Sequence, residues 1–179
     1  MKNSLKMMLI VSLLLAACSN PPGNNQKEKP ETKDTVVSNV NPEKNKTMKG
    51  FAINIEKNTL ENNNFRMVLY TAKHMQLVLM SLKPGEEIGE ETHADVDQFF
   101  RFESGEGNCV INGVVNKVAA GDVIIVPAGA KHNVINTGTQ KDLKLYTIYA
   151  GPNHRDGVVR ATKKEAEEKE EKFDGLTTE

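Results

Sequence analysis

Short runs of alternating hydrophobic and polar residues fill the chain between residues 51 and 149. Such runs, separated by turn residues and without a helical period, are typical of antiparallel β-strands. The pattern predicts strands at residues 51–56, 65–71, 75–82, 98–103, 108–111, 114–118, 122–126, 132–136 and 143–149. Asn112-Gly113, between two of these runs, is the signal of a hairpin with a two-residue type I′ turn. The expected fold class is therefore all-β, a single small antiparallel β-barrel or sandwich.

Residues 1–17 have a different pattern. Lys2 and Lys6 precede an apolar run from Met7 to Ala17, which is too short to span a bilayer. The run ends in Leu15-Ala16-Ala17-Cys18, which resembles the processing site of bacterial lipoproteins. The resemblance implies a signal peptide over residues 1–17, lipidation (palmitate) at Cys18, and a cell-envelope location anchored to a bacterial membrane, facing the periplasm or the surface. An ordinary secretory peptide that contains a cysteine is the alternative.

Two further segments flank the strand-rich region. Residues 18–49 are rich in Pro, Asn, Lys and Glu and lack aromatic residues, so they predict a disordered N-terminal tether. Residues 156–179 form a charged tail that favours a short C-terminal helix, with Thr162 as its N-cap. Glu165 and Glu168 would pair with Lys169 and Lys172 along that helix. The globular domain is therefore expected at residues 50–155.

Composition excludes several classes of protein. Lys and Arg number 23 against 24 Asp and Glu, a net charge of −1, which excludes a strongly basic nucleic-acid binder. A single long apolar stretch excludes a polytopic membrane protein. If Cys18 carries lipid, Cys109 has no intramolecular partner, and its apolar strand predicts a buried structural thiol.

Two segments contain residues that are candidates for metal binding. In residues 98–102, Gln98 shares the face of two phenylalanines, so its amide is expected to point inward. His132 opens the strand that follows a Pro-Ala-Gly turn, and His93 and Asp95 share a parity if the loop before Gln98 is extended. An interior that holds His93, Gln98 and His132 suits a divalent metal such as Fe, Mn, Ni, Zn or Cu. Without a metal, His132 and Gln98 would hydrogen-bond each other in a polar pocket.

The same segments resemble the two motifs of the cupin family. Gly121, five residues, Pro-x-Gly, two residues, His132, three residues and Asn136 match the second motif, and residues 85–105 resemble the first. The resemblance covers roughly residues 51–153 and implies a cupin jelly roll with a metal inside. The chain is most similar to small single-domain type-2 cupins described as mannose-6-phosphate-isomerase-like.

The first motif departs from the family pattern, in which three histidines and a glutamate hold the metal. His93 and His132 match the first and last histidines, Asp95 stands at the second, and Gln98 replaces the glutamate. The resemblance therefore implies His93, Gln98 and His132 as ligands, with or without Asp95. Four acids crowd this motif, and two of them are expected to face water, Glu90 and Asp97, leaving Glu91 and Asp95 as candidates for acid–base chemistry.

Two tyrosines and two histidines outside the motifs are further candidates. Tyr146 and Tyr149 have opposite parity on the last strand, so only one faces the cavity. His74 is expected to be exposed at a hairpin corner, and His154 follows the last strand near the mouth.

The sequence leaves three classes of function open. The first is a metal-dependent enzyme, of isomerase or dioxygenase type, on a small polar substrate, and the second is a non-catalytic module that binds a small ligand or metal. The third is a partner-binding lipoprotein with a vestigial pocket. No cluster of Lys or Arg near the motifs would hold a phosphate. Apolar residues on both faces of 77–80 and 99–102 predict a second buried surface, which a homodimer would supply. We favour the first class, with the second as the alternative.

Overall fold

The computed structural model describes residues 48–179, where two antiparallel sheets enclose one core. The nine strands of this part of the chain are β1 (Arg66–Thr71), β2 (Gln76–Leu82), β3 (Gln98–Ser104), β4 (Glu106–Ile111), β5 (Val114–Ala119), β6 (Val123–Val126), β7 (His132–Asn136), β8 (Leu143–Tyr149) and β9 (Val159–Arg160). One sheet has the order β6-β3-β8-β2-β1-β9 and the other β5-β4-β7. The predicted signal peptide, Cys18 and most of the predicted tether lie outside the described residues.

Eight of the nine predicted strands are present, each within two residues of its expected ends. The predicted type I′ turn is confirmed, because Asn112 and Gly113 both have positive φ, 48° and 82°. One part of the expected fold is corrected: within residues 48–179 the hydrogen-bonded strands form two separate sheets rather than one closed barrel. The sheets instead meet face to face as a jelly roll.

The core lies between the two sheets. Phe100 and Phe102 enter it from the six-stranded sheet, and Cys109 and Val134 enter it from the three-stranded sheet, all fully buried. Burial raises the pKa of the Cys109 thiol to about 11, which keeps it protonated and unreactive at neutral pH. Cys109 is therefore a structural thiol, as the sequence predicts.

The first predicted strand, residues 51–56, is wrong. Helix α1 (Ile55–Glu61) begins within it and takes its last two residues, and the Asn54 side chain caps the helix by accepting a hydrogen bond from the Lys57 backbone N–H at 2.9 Å. Apolar residues at 51, 53 and 55 mimic strand alternation, whereas the capping asparagine was the signal of a helix.

Helix α1 lies on the outer face of the six-stranded sheet. Lys144, on the outward side of β8, reaches it by donating a hydrogen bond to the Leu60 carbonyl at 2.6 Å. Leu79 is fully buried although its neighbours on β2, Val78 and Met80, are the ones that join the core. Part of the second buried surface that the sequence assigns to a homodimer is therefore covered within the chain.

The C-terminal tail is part of the globular unit, so the expected boundary at residue 155 is too early. Strand β9 pairs with β1, Ala166 is buried, and the Thr178 backbone N–H donates to the Thr71 carbonyl at 2.9 Å. Helix α2 (Lys163–Glu168) begins at the predicted cap, where Thr162 accepts a hydrogen bond from the Glu165 N–H at 3.2 Å.

Helix α2 is too short for the ion pairs that the sequence predicts. It ends before Lys169 and Lys172, and the observed pairs are Lys163–Glu167 and Lys164–Glu168. Neither α1 nor α2 has the length or apolar character to cross a bilayer.

Candidate metal centre

The segment before β3 runs antiparallel along β7 and fixes the candidate ligands. The backbone N–H of Glu91 donates to the His132 carbonyl at 2.8 Å, and that of His132 donates to the Glu91 carbonyl at 2.9 Å. Directly paired residues in an antiparallel ladder place their side chains on the same face. Two residues later, the His93 carbonyl accepts a hydrogen bond from the Gly129 N–H at 2.8 Å. The three side chains therefore converge.

Glu91, His93 and His132 each offer one ligand atom, and these atoms lie within 4.8 Å of one another. Glu91 Oε2 is 3.5 Å from His93 Nε2, and both atoms are buried and without a hydrogen-bond partner in residues 48–179. Buried polar atoms without partners are costly and rare in folded proteins. A cation between them would satisfy both, so the residues present fit a divalent metal.

Gln98 completes the group. Its Oε1 lies 2.9 Å from His132 Nε2, and its Nε2 donates to Thr147 Oγ1 at 3.0 Å. The Ala130 carbonyl lies 3.1 Å from His132 Nδ1 and can only accept, so it favours the tautomer with the proton on Nδ1. The Nε2 lone pair then faces the Gln98 oxygen, and a cation bound by both atoms would remove their repulsion. Rotation of the Gln98 amide would instead give a metal-free hydrogen bond.

Charge states at neutral pH suit metal binding. Burial alone would raise the pKa of the Glu91 carboxyl, but His93 and Arg66 outweigh it and hold that pKa below its usual value. Burial lowers the pKa of His132 despite the Ala130 carbonyl and the Glu91 charge, which raise it. A carboxylate and a neutral imidazole are the forms that bind metal.

The structure brings His93, Gln98 and His132 together, as the resemblance implies, but it does not bring Asp95 to them. Asp95 is exposed, because a turn at residues 94–95 ends the extended backbone on which its shared parity with His93 depended. The carboxylate that lies beside His93 is that of Glu91 instead. Glu91 precedes His93 by two residues, and residues two apart in an extended segment have side chains on the same face.

The other acids of the motif face water, as expected. Glu90 lies 2.9 Å from Lys131 with 63% of its side chain exposed. Asp97 accepts a hydrogen bond from the Ala128 N–H at 2.8 Å and is also exposed.

A cavity of about 840 Å³ opens onto Glu91 and His93. We call the part lined by Arg66, Glu91 and His93, whose side chains are 11–24% exposed, its deep end, and the part lined by residues from 152–154 and 163–173 its outer wall. This volume falls within the range of roughly 300–1,000 Å³ that small-molecule sites occupy.

Two aromatic rings support the deep end. Tyr149 is buried, with its ring centroid 5.5 Å from that of His93, and Tyr146 is partly exposed, which confirms their opposite parity. His154, buried in the cavity wall, has Nε2 3.3 Å from the Tyr149 hydroxyl. Burial, helped by the nearby Arg66 charge, lowers the pKa of His154 to about 3, so the imidazole is neutral. His74 is exposed, as predicted.

Comparisons with known proteins identify relatives in bacteria and a virus. The uncharacterized protein YrkC of Bacillus subtilis is 48% identical over 124 residues, which span 66% of each chain. An uncharacterized protein of Acanthamoeba polyphaga mimivirus is 39% identical over 112 residues, 61% of this chain and 70% of that protein. The chain thus spans about two thirds of these relatives' length.

A solved structure and a family model agree with the fold. The crystal structure of a Bacillus halodurans protein superimposes with a TM-score of 0.65 at 42% identity, covering 66% of this chain and 94% of that one. The model of the cupin domain matches residues 78–149, which include Gln98 and both histidines of the metal group. With this match, the two-sheet jelly roll and the grouped histidines in view, the chain belongs to the cupin superfamily.

Proposed function

We propose that this protein binds a divalent metal through Glu91, His93, Gln98 and His132 and uses it on a small polar molecule, as an enzyme of isomerase or dioxygenase type. The observation that carries the proposal is the pair of buried, unpartnered atoms, Glu91 Oε2 and His93 Nε2, at 3.5 Å. Ligand sets of imidazole and carboxylate suit Fe, Mn, Ni, Cu and Zn.

A bound divalent metal supplies Lewis-acid chemistry, the polarisation of a substrate oxygen. The chain's own residues prepare the site for it. Arg66 and His93 keep Glu91 ionised, and the Ala130 carbonyl fixes the ring of His132. The cavity gives a small molecule access to Glu91 and His93, whereas His132 stays buried behind them.

Elemental analysis tests metal binding. The full chain, purified without a histidine tag and incubated with each of the five metals, is expected to retain one metal near stoichiometrically. The double variant His93→Ala/His132→Ala is expected to retain none while keeping its circular dichroism spectrum. His74→Ala removes an exposed histidine far from the group and serves as the matched control, with metal content unchanged. Retention of no metal by the parent chain would overturn the proposal.

Turnover separates an enzyme from a binding module. If the metal-loaded protein converts no member of a panel of sugars and hydroxy acids yet binds one of them, the alternative function, a non-catalytic ligand- or metal-binding module, replaces the enzyme. Turnover that disappears in the folded double variant supports the enzyme.

We further propose that Cys18 is lipidated and anchors the domain to a bacterial membrane at the cell envelope. The support is the sequence of residues 1–18, in which an apolar run ends at a cysteine behind two alanines. Metabolic labelling with an alkyne fatty acid is expected to mark the wild type and not Cys18→Ser. The variant should also leave the membrane fraction. Labelling of Cys18→Ser, or a soluble wild type, would contradict the anchor.

A further inference from the structure

The deep end of the cavity contains the guanidinium of Arg66, which lies over the Phe65 ring, with Cζ 5.9 Å from the ring centroid, and has a buried donor without an acceptor. Arg66 lies on β1, with only 11% of its side chain exposed. Its Nε is buried and has no hydrogen-bond partner among residues 48–179. The nearest acid is Glu91, with Oε1 3.9 Å from Arg66 Nη2, which is beyond hydrogen-bond length.

The charge of Arg66 helps to keep Glu91 ionised, but their 3.9 Å contact does not engage the Arg66 donors in a hydrogen bond. Arginine–carboxylate pairs that serve as ion pairs are short, about 2.7–2.9 Å, and often bidentate. The 3.9 Å contact is neither. Because a guanidinium carries five N–H donors in a planar fork, Arg66 retains donors that face the cavity.

The charges around the cavity favour an anion at this depth. Arg66 and Glu91 cancel each other at the deep end, so a divalent metal there would leave a net positive charge. Of the acids farther out, Glu171 is in contact with Arg160. The others that line the cavity are exposed and are weakened by solvent, Asp95, Glu167 and Glu170. Of the lysines in the outer wall, Lys163 pairs with Glu87 and Glu167 and Lys172 is exposed, so the charge at the deep end depends mainly on Arg66, Glu91 and the metal.

From this geometry we propose that the cavity binds a small organic acid, whose carboxylate pairs with the Arg66 guanidinium beside the metal group. The proposal deepens the proposed function and rests on it, since it names the substrate class for the same site. A single planar fork matches the two oxygens of a carboxylate. No local pattern indicates this role, because Arg66 precedes Glu91 by 25 residues and only the packing of the two sheets brings the residues together.

Calorimetric titration tests the proposal with matched charged and neutral probes. Lactate and succinate are compared with lactamide and succinamide, and inorganic phosphate is included as a second anion. Each probe is titrated into the full chain, metal-loaded and after EDTA treatment. We expect at least one carboxylate to bind the loaded protein at least about tenfold more tightly than its amide, consistent with a charge-assisted hydrogen-bond pair.

Variants then locate the binding. Arg66→Gln is expected to abolish the preference for the carboxylate over its amide when it is compared with the parent chain at equal metal content. Arg66→Lys, which keeps the charge without the fork, should give an intermediate affinity and remains informative if the glutamine variant fails to fold. Arg101→Gln removes an arginine from β3 outside the cavity lining and should change nothing.

The outcomes separate this inference from the proposed function. Equal binding of acid and amide, binding of phosphate alone, no binding of any carboxylate, or unchanged preference in a folded Arg66→Gln variant overturns the carboxylate site. If the parent retains no metal but EDTA-treated protein still binds a carboxylate through Arg66, the metal proposal fails and the carboxylate site stands.

Discussion

Glu91 and His132 face each other across a pair of backbone hydrogen bonds of 2.8 and 2.9 Å, one in each direction. This pairing fixes the backbone of Glu91 as firmly as that of a residue within a strand, although the segment around it is otherwise irregular. It directs the carboxylate to the same side as the imidazole and sets it beside His93. The geometry of the candidate centre therefore depends on β7 as much as on the first motif.

Removal of the Glu91 carboxylate is expected to weaken metal binding more than removal of the Asp95 carboxylate. Glu91→Gln should lower metal affinity by at least about tenfold, the low end of the loss seen when even an outer partner of a ligand is removed. Asp95→Asn, a matched change in the same motif, should leave it unchanged because Asp95 is exposed and outside the group. Competition with a fluorescent chelator measures both, and the reverse order of effects would restore Asp95 as a ligand.

Gly105 is expected to be essential for stability, because a Cβ at this position would lie 2.6 Å from the Asp142 carbonyl oxygen. Gly113 has the same φ, +82°, but a Cβ there meets nothing within 4 Å. Both alanine variants should lose about 1–2 kcal/mol from the strained backbone. Gly105→Ala should lose a further amount of about 1–3 kcal/mol from the clash. Urea unfolding gives the difference, and equal losses would show that the backbone shifts freely at residue 105.

Gln76 holds the cavity wall to the sheet. Its fully buried amide donates to Thr71 Oγ1 at 2.9 Å and the His154 carbonyl at 2.7 Å, and accepts from the His154 N–H at 2.9 Å. Gln76→Glu keeps the shape but removes both donors, so we expect a loss of about 2–4 kcal/mol in the free energy of unfolding.

The exposed Gln140→Glu is the matched control for Gln76→Glu and should be neutral within about 0.5 kcal/mol. Thermal unfolding compares the two variants. Similar melting temperatures would mean that the wall does not depend on this amide.

The outer face of β6 is the surface that we assign to the homodimer predicted from the sequence. Ile125 and Val123 on β6 remain 66% and 44% exposed, and β6 is an edge strand of the six-stranded sheet that a second copy could extend. Light scattering is expected to give twice the chain mass for the wild type and the single mass for Ile125→Lys. Val114→Lys, on the edge strand of the other sheet, should stay dimeric, and a monomeric wild type at high concentration would exclude the dimer.

Alternation of residues predicted most strands because each has one face on the core, as in β7 and β8, where every second residue is buried. The same rule failed at residues 51–56, where the alternating apolar residues Phe51, Ile53 and Ile55 lead into a seven-residue helix that begins at Ile55. It also failed at Asp95, where a turn interrupts the parity. Alternation could not predict the position of Arg66, because no local pattern indicates which distant strand supplies a side chain to the site.

Residues from different parts of the chain line the two ends of the cavity. The cupin match ends at Tyr149, and the outer wall begins at Pro152 and continues through α2 to Phe173. The metal group thus lies wholly within the matched region, whereas much of the cavity lining comes from a segment that contributes no candidate metal ligand. Relatives could diverge in what they accept by exchanging this segment alone, in the way that loops diversify enzymes built on a conserved scaffold.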